Sequence, residues 1–106
     1  VLRVFETVDA ILIAATPCTA PLIGQKTMLL AGNEVPVRPS MGILTQPISF
    51  IGLPVVAVPV AKAGLPIGVQ IVTAPWREDL ALRIAAHLEA QGIAAARPPQ
   101  EAAEWT

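Results

Sequence analysis

One cysteine, one histidine and few charged residues make up the sparse part of this 106-residue sequence, and each shortage excludes some chemistry. Cys18 alone cannot form an internal disulfide, and no Cys/His set has zinc-ligand spacing. A reducing, cytoplasmic setting is the expectation. His87 is the single histidine, and it shares a polar stripe with Asp79 and Arg83. A Ser-His-Asp triad therefore has no support, and His87 reads as solvated surface. Charged residues are 14% of the chain and the net charge is −1, with Lys and Arg scattered. Nucleic acid is not an expected partner. A Gly-rich phosphate cradle and a Gly/Ser-rich oxyanion segment are both missing. "VLRVFETVD" has neither an initiator Met nor a basic-then-apolar signal pattern, so the expectation is a piece of something longer.

Apolar residues are plentiful, at 54%. That excludes disorder and is rich for a small domain with much surface. The longest charge-free window, Pro39 to Ala61, contains Pro39, Pro47, Pro54 and Pro59. A spanning helix needs about 20 apolar residues with an intact ladder, so no membrane span is expected.

"VLRVFETV" reads as a helix end, and "DAILIAAT" (9–16) as a strand buried on both faces. Residues 17–40 read as a long loop. Within it "KTMLL" and "EVPV" flank Gly32-Asn33 as a small hairpin. A helical turn is expected near Pro47 to Phe50, ended by Gly52. "VVAVPV" (55–60) and "IGVQIV" (67–72) read as paired strands around a turn at Lys62 to Pro66, with positive φ at Gly64. Aligned register puts Val56, Val58, Val60, Ile67, Val69 and Ile71 on one β-branched face. The other face carries Val55, Ala57, Pro59, Gly68, Gln70 and Val72, mostly small. Pro59 predicts a bulge or an edge. "REDLALRIAAHLEAQG" (77–92) reads as a helix with a Leu80/Ile84/Leu88 stripe, acidic first-turn residues, an Asp79–Arg83 pair and a Gly92 cap.

One helix covers one face of one strand pair. Leaving six β-branched side chains exposed would forfeit roughly 9–18 kcal/mol, as much as a domain's net stability of about 5–15 kcal/mol. The expected architecture is thus α/β: residues 1–92 form part of a domain whose other strands and helices lie upstream, and 93–106 form a tail.

Ser40, Ser49, Lys26 and Lys62 could suggest Ser-Lys chemistry, but both lysines fall in exposed turns or loops, where a neutral amine is not favoured. Cys18 has no visible base partner and reads as an inert thiol. No catalytic set is expected here. Three polar residues are candidates for substrate binding. Arg38, in "VPVRPS", is either a solvated loop residue or a bidentate carboxylate partner. Thr45 and Gln46, in the apolar "ILTQPIS", bond either backbone or a substrate amide.

The order "DAIL…ATPCTAP", "LTQPISFIGLPVVAVPV", "GLPIGVQIV" and "WREDLALRIAAHLE" resembles the C-terminal part of the amidase signature family, from Phe5 to Gln91. Within it, the 1-carboxybiuret hydrolase branch is the most similar. The resemblance implies the C-terminal portion of a mixed-sheet α/β fold: a strand, a long loop, a hairpin-like strand pair and a C-terminal helix. It implies amide or urea-type C–N hydrolysis by a Ser–cis-Ser–Lys triad without metal or cofactor. That triad would lie upstream and maps onto no residue here. It further implies a small amide or carboxylated urea-type substrate and a small partner subunit. An upstream amidase half, or another copy of the chain, would cover the apolar faces. Many members have Pro where this chain has Ala14. The glutaminyl-tRNA amidotransferase branch has an acidic residue where this chain has Gly42, which argues against that branch's substrate. The rival expectation is a non-catalytic interaction or oligomerisation module.

Overall fold

The computed structural model describes residues 2–98. A short 3-10 turn, Leu2–Glu6, stands where a helix end is expected. Five strands and three helices follow: β1 Ala10–Ala14, β2 Thr27–Leu30, β3 Asn33–Pro36, α1 Val37–Met41, α2 Gln46–Ile51, β4 Val55–Pro59, β5 Gly68–Thr73 and α3 Glu78–Ala90. The main sheet has the order β1-β5-β4 with antiparallel neighbours, and β2-β3 form a separate hairpin.

That hairpin turns through Ala31 and Gly32, whose φ values of 52° and 81° suit a two-residue turn of the primed type. α2 begins on Gln46 with Pro47 in its first turn, where the missing N–H has no helical partner to lose. Gly52, at φ 72°, ends it, as the sequence predicts.

The expected register between β4 and β5 is present: Val56 lies opposite Ile71 and Val58 opposite Val69, with Ala57 opposite Gln70 and Pro59 opposite Gly68. The β-branched and small-residue faces are therefore real. Val60 N–H donates to the Ile67 carbonyl, so alternate residues Val55, Ala57 and Pro59 turn their backbone groups outward. Pro59 thus spends its missing N–H on an edge and needs no bulge. Its carbonyl accepts from Ala95 N–H, and Ala61 N–H donates to the Ile93 carbonyl. The chain after α3 returns along this edge; residues 99–106 of the expected tail lie outside the described residues.

α3 packs on β5 and β4. Leu80, Ile84 and Leu88 face the sheet, with Ala81 fully buried. Ile71 and Val72, on opposite faces of the central strand, are both 0% exposed. α3 ends in paired bonds, Gly92 N–H to the Glu89 carbonyl and Ile93 N–H to the Leu88 carbonyl, with Gly92 at φ 75°. Those are the two bonds of a Schellman cap.

Two expectations change. Asp79 pairs with Arg77 rather than Arg83: Nε and Nη2 of Arg77 reach its two carboxylate oxygens at 3.1 and 3.4 Å. β1 is not buried on both faces, since Leu12 is 57% exposed. Leu12 sits opposite Ile71 on the α3 side of the sheet, but α3 lies over the other two strands.

Candidate functional site

The small-residue side of the sheet is where the chain leaves space. Gly68 permits close approach there: a Cβ built on it would stand 3.5 Å from the Ala15 Cβ. An open apolar cleft of about 360 Å³ lies on this side. Ala57, Pro59 and Gly68 contribute from the strands, Thr16, Cys18 and Ala20 from the segment after β1, and Met41 from the end of α1. Thr16 Oγ1 donates to the Cys18 carbonyl at 2.7 Å and folds the segment into a tight turn. Cys18 Sγ lies 3.6 Å from Met28 Sδ and 3.8 Å from Met41 Sδ, packed among soft apolar neighbours.

The candidate binding residues Thr45 and Gln46 are not part of this lining; they follow Met41 across the turn after α1. Thr45 and Gln46 stand together at the start of α2, and both engage Gly42. Thr45 Oγ1 donates to the Gly42 carbonyl at 3.3 Å, and the same carbonyl accepts the N–H of Thr45 and Gln46. The Gln46 side chain folds back over Gly42, so that a Cβ at position 42 would meet its Nε2 at 3.2 Å. Gly42 has φ −91°, open to any residue; what distinguishes the position is that close side chain. Arg38 lies on α1, exposed, apart from the Thr45-Gln46 pair in sequence and outside the cleft lining.

Other chemistry-bearing residues sit elsewhere. Lys62 Nζ donates to the carbonyls of Ala63 at 3.0 Å and Leu65 at 2.8 Å, and so holds its own turn closed. His87 is exposed on α3. The hydrogen bonds from Arg77 hold the Asp79 carboxyl below its ordinary 3.8, and the adjacent Leu80 N–H acts in the same direction.

The role of one residue was not read from the sequence. Gln70, 4% exposed, donates from Nε2 to the Leu44 carbonyl at 3.0 Å and the Ala14 carbonyl at 3.2 Å. Its place in an otherwise apolar strand marks it as a buried amide needing partners, but those partners lie 26 and 56 residues away.

Among known proteins, a family model described as Amidase matches residues 1–82. The 1-carboxybiuret hydrolase subunit AtzE of Pseudomonas sp. (strain ADP) is 47% identical over 93 residues, which is 85% of this chain and 20% of that protein. A chain solved in work on a vestigial protein complex and the origins of an s-triazine catabolic enzyme superposes with a TM-score of 0.86. It is 44% identical over 91% of this chain and 22% of its own length. A crystal structure of an amidase gives a TM-score of 0.79 at 33% identity, over 85% of this chain and 21% of its own. The chain spans about a fifth of the length of these relatives. With its mixed α/β architecture, its β4-β5 register and the family match over most of its length, this chain belongs to the amidase family.

Proposed function

We propose that this chain is the C-terminal segment of an amidase-signature hydrolase, and that it supplies sheet strands, a covering helix and one side of the substrate pocket. The observation that carries this reading is the cleft on the small-residue face, to which Thr16, Cys18 and Ala20 contribute after β1 and Met41 contributes from α1. The reacting groups belong upstream. There a serine attacks an amide or urea-type carbonyl, and the oxyanion is stabilised by preorganised donors. The C–N bond breaks as the nitrogen takes up a proton and departs as ammonia or an amine, and water then hydrolyses the acyl-enzyme. On this reading the chain alone does not catalyse.

Thr45 and Gln46 are the groups we assign to the substrate amide, and Arg38 to a substrate carboxylate. The substrate class is a small amide or a carboxylated urea, the class suggested by the name of the 1-carboxybiuret relative. A small partner subunit belongs to the same proposal, since a solved relative comes from a protein complex. We place the enzyme in the cytoplasm; among the described residues no helix is long and apolar enough to cross a membrane.

The test uses the complete enzyme. Arg38→Ala should raise KM for the anionic amide malonamate and leave KM for propionamide unchanged. Equal effects on both would remove Arg38 from the site. A second reading, a self-associating module without catalysis, draws on the exposure of Leu12, Ile23, Leu29 and Phe50. Its mark would be a native gene product of about 11.1 kDa, the mass of this chain.

A further inference from the structure

We infer that Gln70 is a positioning residue that fixes the spacing of the two segments flanking the cleft, the one after β1 and the one after α1. The inference rests on the reading of this cleft as part of an amide-binding pocket. Gln70 stands in the middle of the central strand, on the small-residue face, between Ala57 of β4 and Ile13 of β1. The primary amide has two N–H donors on one nitrogen. Both are used, and each goes to a backbone carbonyl in a different segment. The Ala14 carbonyl ends β1, just ahead of the cleft residues Thr16 and Cys18. The Leu44 carbonyl lies between Met41, which lines the cleft, and the Thr45-Gln46 pair.

Neither segment is a regular helix or strand at these points. Thr16 to Thr19 is a run of bends, and Gly42 to Thr45 is a turn between two helices of five and six residues. Gly68, two residues earlier on β5, accepts Ala15 N–H and steadies only the first segment. The shared nitrogen of Gln70 therefore sets the distance between them. A side chain without donors would take this partner from both carbonyls and let the two segments separate. Leucine or methionine would fill the volume. Only a side chain that donates twice, without a buried charge, makes both bonds.

The test is Gln70→Met in the complete enzyme, with three readouts. KM for malonamate and propionamide should each rise about tenfold while kcat changes less than about twofold, the pattern of lost positioning rather than lost chemistry. Labelling of the catalytic serine by a small fluorophosphonate should proceed at the wild-type rate. Hydrogen exchange should quicken together in residues 15–20 and 41–46, with α3 unaffected. An unchanged KM would overturn the inference, as would a joint fall of kcat and labelling or uniform loosening of the chain. If Gln70→Met does not fold, Gln70→Asn keeps an amide too short to span both carbonyls. One segment should then loosen alone, and wild-type protection in both would overturn the inference. A wild-type enzyme that releases no ammonia from either amide would defeat the amidase reading instead, and hydrogen exchange would still decide the role of Gln70.

Discussion

At the scale of single residues, the informative positions are those where a small side chain leaves room for a particular neighbour. Gly42 is one. Its backbone conformation makes no demand for glycine, but a methyl group there would press on the Gln46 side chain at 3.2–3.3 Å. Gln46 is exposed and flexible, so it can swing away at little cost in stability. Gly42→Ala should therefore leave the melting temperature of the complete enzyme within about 2 °C of wild type. If Gln46 meets the substrate, KM for a neutral amide should change severalfold. Steady-state kinetics beside a thermal melt checks this, and a melt that collapses would mean position 42 is packed more tightly than its distances imply. The sequence marks Gly42 only through the resemblance, by the acidic residue it lacks. The contact that matters is made by a side chain four residues later.

At the scale of elements, α3 and the β4-β5 pair were legible almost residue by residue. The i, i+4, i+8 stripe, the alternating apolar pattern and the Gly64 turn are local signals, and local physics fixes them. Partner choice was less legible. Asp79 has arginines at positions 77 and 83, and sequence spacing favours the helical neighbour four residues on. The structure favours Arg77 because its planar guanidinium reaches both carboxylate oxygens from the residue that precedes the helix. The extent of α3's cover was equally hidden, since nothing in its stripe says which strands lie beneath it.

Two predictions belong to this helix. Leu88 faces the sheet, whereas Leu82 is 60% exposed. Leu88→Ala should cost about 2 kcal/mol and Leu82→Ala about 0.5 kcal/mol or less, measured by urea unfolding. Comparable losses would mean α3 is covered on its outer side too. The second concerns acid. Asp79 titrates below its ordinary 3.8 in the folded chain, so its contribution is fully present above that value and is lost as pH falls through the lower folded one. Asp79→Asn should melt slightly below wild type at pH 7, by no more than about 2 °C because the pair is exposed, and the gap should narrow as pH falls below 3.8. A gap that does not narrow with acid would show that the ion pair is not its source.

At the scale of the whole molecule, the exposed apolar residues Leu12, Leu22, Ile23, Leu29, Phe50 and Ile51 decide behaviour. Patches of this kind drive association when nothing covers them. Produced alone, the 106-residue chain should run on size-exclusion chromatography well above its 11.1 kDa and release no ammonia from malonamate. A sharp monomer peak would show that this surface tolerates water. The excess of apolar residues over the cover one helix can provide was readable in the sequence. The return of Ile93, Ala94 and Ala95 along β4 was not, because "IAAA" carries no turn chemistry and no alternation.

That return leaves the sheet with one covered edge and one open edge among the described residues. Where β4 faces outward, Pro59 offers no N–H, its carbonyl is already taken by Ala95, and Ala61 is taken by Ile93. Val55 and Ala57 keep their outward groups, but a strand laid along them would stop at Pro59 and the returning chain. At β1 the outward groups of Ala10 and Leu12 lie on an edge strand that no described segment returns along, and the next outward carbonyl, that of Ala14, is held by Gln70. The two edges of the sheet are thus unlike, and one proline and three residues after a helix make them so.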